Sequence, residues 1–318
     1  MRYQGLGLGC MSMHQATQEE NERVISTSLD KGITYLNIGD FYSSGQSEMV
    51  LGNALKNRPR EDFFISVKFG GLMEPRGAMY GMDVDPYRIK NYLAYTLSRL
   101  KLDYIDLYQP SRIDTGIPVE ETIGAISDLV KEGYVRHIGV SMVDAETLER
   151  AHAVHPIEFV EMEYSLFNRS IETSVLPAAR KLGIGVVAFG ILAHGVLSGY
   201  WTRERVASGE RPFGMPIGLL EPQNFEKNIE LIENLDTIAS EKNVSVPQLA
   251  YAWALSKGDD IVPLIGTGKV SHFNDLLRAR DITLSETDIQ RIEAAIPLNR
   301  IAGTSMSDVK FKNGFINL

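Results

Sequence analysis

Eight times in succession along the chain, a short apolar run that reads as a strand is followed by a stretch with helical periodicity, without a break in composition. The strand-like runs cover 6–13, 33–38, 63–69, 104–109, 135–142, 158–166, 183–192 and 260–267. The helical stretches cover 18–31, 47–57, 86–100, 119–132, 144–154, 171–182, the pair 225–242 and 247–257, and 271–279. In the first of them Val24, Ile25 and Leu29 fall on one face. Stops such as "LDKG", "VKEG" and "RKLG" set a glycine where a helix C-terminus takes up the left-handed conformation. The repeat is one of architecture, not of sequence. Eight strand–helix units favour a closed (β/α)8 TIM barrel, one domain spanning 1–318. With 318 residues, 44% of them hydrophobic, the chain can bury a core of that size. An open doubly wound sheet is the competitor, but "GLGLGC" lacks the third glycine of a dinucleotide turn and precedes a Met/Ser loop instead of opening a helix.

Charge and cysteine content narrow the function. A formal net charge of −9 without clustered Lys/Arg argues against a nucleic-acid partner. The single cysteine, Cys10, excludes an intramolecular disulfide and a cysteine metal cluster, which fits a reducing compartment. "MRYQGLGLGCMSM" is a poor signal peptide and no apolar run reaches membrane-spanning length, so a cytoplasmic protein acting on a small molecule is expected. His152 and His155 lack the further ligands of a zinc site.

Barrel active sites lie at the C-terminal ends of the strands. Asn37, Lys68, Ser111, Ser141 and Glu161 all stand at or near such ends. Lys68, inside "FFISVKFG", is hard to explain as core, because a buried lysine needs a partner. Tyr42 follows in the turn "NIGDFYSSGQSE". A phenol can give its proton to a developing alkoxide when a neighbouring cation lowers its pKa, and a lysine on the next strand supplies that cation. Taken alone, Tyr42 reads as packing over the rim; beside Lys68 it reads as an acid. Glu161 and Glu163 share one face of a regular strand, which leaves a carboxylate-pair hydrolase as an alternative, although such acids usually come from different strands. The loops 70–85 and 200–224 read as irregular, and Phe69, Leu72, Met73, Met79, Tyr80, Met82 and Tyr108 are expected to wall an apolar pocket.

"GITYLNIGDFYSSGQSEMVLGNALK", "SVKFG", "YIDLYQPSRID", "GYVRHIGVSM", "EYSLFNRSIE" and "VVAFGILAHGVLSG" resemble, in order, landmarks of the aldo-keto reductases. That resemblance implies a barrel that binds NAD(P)H without a Rossmann fold and passes hydride to a carbonyl through an Asp, Tyr, Lys and His set. Tyr42 and Lys68 match the tyrosine and the lysine; Asn37 stands for the aspartate and Ser111 for the histidine, a combination similar to the pyridoxal reductase branch. Asn37 can still hydrogen-bond Lys68 through its carbonyl oxygen, and Ser111 can orient a water or a substrate oxygen. If Lys68 loses its acidic partner, a charge removed at an assumed ~7 Å in a dielectric of ~20 makes the phenol more acidic by between about one and two pKa units. Asp40 is a possible replacement.

The same resemblance implies the cofactor pocket. Ser141 matches the carboxamide-binding serine, Met142 replaces the asparagine after it, and Glu161 stands where a carboxamide-binding glutamine is common. Phe189 matches the aromatic stacked on nicotinamide, although an apolar residue ending a buried strand looks the same. Gly190, Leu192, Gly195 and Leu197 belong to a small-residue loop suited to pyrophosphate. Gly266, Thr267, Lys269 and Asp275 span the strand-to-helix turn "IGTGKVSHFND", where helix N–H groups attract phosphate and Lys269 adds charge for a 2′-phosphate. Gly268 and Leu276 stand for the usual arginine and asparagine. The expectation is an NADPH-dependent reductase of an aldehyde, pyridoxal-like or aromatic, with NAD as a possible cofactor; an NADP(H)-binding sensor with little turnover is the alternative.

Overall fold

The computed structural model describes residues 5–11, 13, 17–113, 116–210, 217–305, 310–312 and 315–317. Eight parallel strands close into a barrel: β1 (Gly7–Gly9), β2 (Tyr35–Gly39), β3 (Phe64–Phe69), β6 (Ile105–Pro110), β7 (Val135–Ser141), β8 (Ile157–Glu163), β9 (Gly185–Phe189) and β10 (Ile261–Gly266). Neighbours follow chain order around the ring, and β1 closes it against both β10 and β2. The remaining strands, β4 (Gly71–Met73), β5 (Met79–Met82), β11 (Lys310–Lys312) and β12 (Phe315–Asn317), make a separate antiparallel sheet.

Alternation along the strands divides two environments. Tyr35, Phe64, Leu107, Phe159, Val187, Val262 and Leu264 form one buried cluster that fills the barrel interior. The intervening residues, such as Leu36, Ile38, Ile65, Val67, Val160 and Ile265, join the larger core between the strands and the helices. Outside stand α1 (Gln18–Asp30), α2 (Gln46–Leu55), α3 (Pro86–Leu100), α4 (Val119–Lys131), α5 (Ala145–Val154), α6 (Val175–Leu182), α7 (Arg203–Ala207), α8 (Pro222–Glu241), α9 (Val246–Ser256), α10 (Val270–Leu277) and α11 (Glu286–Ala295). Their starts are fixed chemically: Thr17 with Glu20 and Ser245 with Gln248 form capping boxes, and Asp85 caps α3 ahead of Pro86.

Three expectations from sequence are corrected. The stretch 70–85 is not irregular, because β4 and β5 form a hairpin there. Its turn is closed by Glu74 N–H on Ala78 at 2.7 Å and by Gly77 in the left-handed region at φ 88°. The C-terminal strands extend this hairpin, with Phe315 opposite Gly81. The stretch 200–224 holds α7, capped by Thr202, while its residues 211–216 lie outside those described. Phe69 and Tyr108 do not wall a pocket: they are fully buried and stack at 4.5 Å in the core outside the barrel.

Candidate active site

Above the apolar plug of Tyr35, Phe64, Leu107 and Phe159, the next inward positions of the same strands are polar. They are Asn37 on β2, Ser66 and Lys68 on β3, Gln109 on β6 and Glu161 on β8. A period of two places them one layer nearer the barrel mouth. All five are buried, Lys68 to 4% exposure. Lys68 Nζ donates to Asn37 Oδ1 at 2.5 Å and to Glu161 Oε1 at 2.8 Å. Asn37 Nδ2 donates to Glu161 Oε2 at 2.7 Å, and Gln109 Nε2 donates to that same oxygen at 2.7 Å. Ser66 Oγ accepts from Gln109 at 3.2 Å and from Asn37 at 3.4 Å.

Lys68 therefore keeps a counter-charge despite the amide at position 37, contrary to the expectation from sequence. Burial pulls its pKa down, but Glu161 and Tyr42 outweigh that, and the lysine stands above its ordinary value. Asp40 is not the replacement. Burial, with Glu48 adding repulsion, pushes Asp40 up to about 8, and Glu48 is itself paired with Arg99 on α3. Cys10, also against this layer, is pushed up to about 12 by burial, which makes it an inert thiol at neutral pH.

Tyr42 enters from the turn after β2. Ser43, Ser44 and Gly45 all take positive φ, at 49°, 53° and 89°, and turn the chain from the strand end into α2. The ring lies 5.4 Å from Lys68 Nζ and packs edge-on against Phe41 at 4.9 Å between centroids. Burial raises the phenol's pKa; Lys68 opposes this and Glu161 adds to it. The hydroxyl thus holds its proton through the neutral range. The hairpin β4–β5 abuts the same turn: a Cβ on Gly71 would lie 2.4 Å from the Phe41 ring, so only glycine fits there. Leu72, Met73 and Met79 of that hairpin are half-buried, Met82 is buried and Tyr80 is exposed.

Ser111 follows β6 and is buried, with its N–H on Phe69 at 3.0 Å. Ser141 ends β7 directly opposite Glu161, and Phe189 ends β9, half-buried against the interior cluster. Gly190, Leu192, Gly195 and Leu197 follow in a tight loop in which Gly195 and Leu197 donate to the Leu192 carbonyl at 2.9 and 3.1 Å. On the neighbouring strand Gly266 ends β10 with open space around it, and Thr267 Oγ1 accepts the Lys269 N–H at 3.1 Å. Lys269 is the exposed residue that caps α10, while Asp275 within that helix accepts from Gln248 at 2.8 Å. The residues expected to hold a cofactor thus line the C-terminal ends of β7 to β10, and the expected reactive groups line β2, β3 and β6 beside them.

Sequence reasoning missed five members of this mouth. Gln109 and Ser66 are visible only once the strand register puts Ser66 level with Asn37 and Gln109 level with Lys68. Arg112, next to Ser111, faces Glu161, Glu163 and Tyr42 electrostatically, and burial lowers its pKa. Its signal was the charge in "QPSRID" just past a strand end. His194 Nε2 sits 3.1 Å from Glu163 Oε1, and Ser305 Oγ donates to Glu163 Oε2 at 3.0 Å. Glu161 and Glu163 do share a face, but each carboxylate is held by partners of its own, Lys68 for one and His194 with Ser305 for the other.

The profile of the "Aldo/keto reductase family" matches residues 5–297. A soybean (Glycine max) protein described as "Probable aldo-keto reductase 1" is 36% identical over 304 residues, covering 94% of this chain and 87% of that protein. Among solved structures, the glycerol dehydrogenase of Gluconobacter oxydans superimposes with a TM-score of 0.80 at 25% identity, over 96% of this chain and 94% of the other. An aldo-keto reductase of Bacillus halodurans in its holo form gives 0.77 at 28% identity, over 92% of each chain.

Proposed function

Because the chain belongs to the aldo/keto reductase family and is an NAD(P)H-dependent reductase of that type, we infer that it reduces an aldehyde to an alcohol with Tyr42 as the proton donor. The observation that carries this reading is the stacking of charge at the mouth: a protonated phenol set against a buried lysine that is itself ion-paired. When bound, the nicotinamide cofactor supplies the hydride. The protein's share is to fix the carbonyl and deliver a proton to its oxygen. Lys68 stabilises the phenolate left after transfer. Arg112 adds positive potential on the Ser111 side, where the carbonyl oxygen gains negative charge.

The residues present fit the cofactor. Open space at Gly266, an exposed Lys269 at a helix start and a half-buried ring at Phe189 give a phosphate end and a ring end along adjacent strands. Ser141, Glu161 and Phe189 stand at the ring end, Gly190, Leu192, Gly195 and Leu197 along the middle, and Gly266, Thr267, Lys269 and Asp275 at the phosphate end. The exposed cation Lys269 favours NADPH over NADH. The hairpin's Leu72, Met73 and Met79 favour a flat ring over a polyhydroxylated chain, which supports an aromatic or pyridoxal-like aldehyde and the pyridoxal reductase-like branch. NADPH oxidation measured across a panel of aldehydes tests this reading. The expected result is higher kcat/KM for aromatic and heteroaromatic aldehydes than for open-chain sugars. A preference for sugars, or no oxidation with any aldehyde, would contradict it.

A further inference from the structure

We propose that Glu161 is a positioning residue that keeps Lys68 charged and thereby sets the proton affinity of Tyr42, a deepening of the proposed function that rests on it. Lys68 is buried, and a buried ammonium without a compensating charge gives up its proton. Among the described residues, Glu161 is the carboxylate within ion-pair distance of Lys68, at 2.8 Å. The amide at position 37 is neutral, yet it does two jobs that an acid cannot combine. Its Oδ1 accepts from Lys68 and its Nδ2 donates to Glu161 at 2.7 Å, so it clamps the ion pair from the side. Gln109 holds the second carboxylate oxygen at 2.7 Å, and Ser66 in turn accepts from both amides. A carboxylate at position 37 would face Glu161 and bring two like charges together. The charge that balances Lys68 is therefore supplied from β8, and the polar layer of β2, β3 and β6 is arranged to receive it from there.

The titratable groups that act on Tyr42 are Lys68 on β3, Glu161 on β8, Cys10 after β1 and Arg112 after β6, and Cys10 is a neutral thiol. Lys68 and Tyr42 are coupled, so the first proton lost belongs to the pair. Removing Glu161 lets that proton leave at lower pH, whichever member gives it up. The shift expected from losing one opposite charge at contact distance is about one to two pH units.

Three variants test the assignment: Glu161→Gln, Asn37→Asp, and the two together, which moves the carboxylate from β8 to β2 while keeping the charge count. In the protein without cofactor, Tm is followed from pH 7 to 10 against wild type. With Glu161 in place the Lys68 pKa lies above its unfolded value, so its stabilisation is full at neutral pH and is lost at alkaline pH. In Glu161→Gln burial holds that pKa below the unfolded value, so the variant's deficit should be largest at pH 7 and shrink as pH rises. With NADPH and an aldehyde, the alkaline limb of kcat should fall by about one to two units. The double variant should return both readouts toward wild type, and Asn37→Asp alone should lose stability through like-charge repulsion. A Tm deficit independent of pH, with an unmoved alkaline limb, would overturn the assignment. A double variant no better than Glu161→Gln would overturn it too. Because the Tm comparison needs no turnover, it stands whether or not Tyr42 proves to be the proton donor.

Discussion

Asp40 shows how strongly position decides the behaviour of a single side chain. Three residues from Asn37 and two from Tyr42, it is half-buried, its charged neighbours are Glu48 and Arg99 and not the lysine, and desolvation pushes its carboxyl up to about 8. An aspartate with a folded pKa above its unfolded one binds more protons folded than unfolded, so stability falls as pH rises from about 4 toward 8. Asp40→Asn removes that loss, and the variant's Tm should decline less than that of wild type between pH 5 and 8. Equal slopes would mean the carboxyl is ionised in the fold. Lys269 is the opposite case, an exposed cation whose worth lies in its partner. A charge-assisted contact contributes roughly 1.5–3 kcal/mol, so Lys269→Met should weaken NADPH binding by about tenfold to a hundredfold while NADH changes little. Equal losses for both cofactors, read by fluorescence titration, would exclude it as the phosphate reader.

At the scale of elements, the hairpin β4–β5 does more than connect β3 to α3. Its first strand approaches Phe41, whose ring packs on Tyr42, so the proposed substrate wall and the proposed acid share one contact. A methyl at Gly71 must displace the Phe41 ring from 2.4 Å, an overpacking that costs about 1–3 kcal/mol. Gly71→Ala should raise the KM for the aldehyde and lower kcat, with NADPH affinity close to wild type. An unchanged KM would show that the hairpin does not carry the substrate wall. The hairpin was illegible in the sequence for a physical reason: its strands are three and four residues long and its partners, β11 and β12, lie more than two hundred residues away. Short strands carry little periodicity, and their pairing is set by a distant segment. α11 was passed over because it falls beyond the eighth repeat.

For the whole molecule, the barrel itself was legible. The eight-fold alternation, the Gly stops and the absence of a dinucleotide turn point to a closed (β/α)8 barrel, and the helix expected over 86–100 coincides with α3. The candidate site was half legible. Strand ends point at the mouth, which brought out Asn37, Lys68, Ser111, Ser141 and Glu161. Which of them touch depends on register around the ring: Glu161 on β8 meets Lys68 on β3 across the barrel, 93 residues apart in sequence. Local pattern carries no such distance, so it points for the lysine's counter-charge to β2 and the turn after it. Phe69 and Tyr108 were misplaced for a related reason, since one residue of phase moves a strand side chain from the mouth to the helix layer. No helix among the described residues is long and apolar enough to cross a membrane.

The central claim is that Tyr42 gives the proton while the cofactor site stands independent of it. The direct measurement is a comparison of wild type and Tyr42→Phe, with NADPH binding followed by fluorescence and a single turnover of an aromatic aldehyde followed by loss of NADPH absorbance. Loss of general acid assistance typically costs about a hundredfold to ten-thousandfold. The account predicts a loss of that size in turnover with the NADPH Kd within about threefold of wild type, a difference of less than 1 kcal/mol. A phenylalanine variant that reduces the aldehyde at near the wild-type rate would contradict it, and would place the proton donor elsewhere in the mouth.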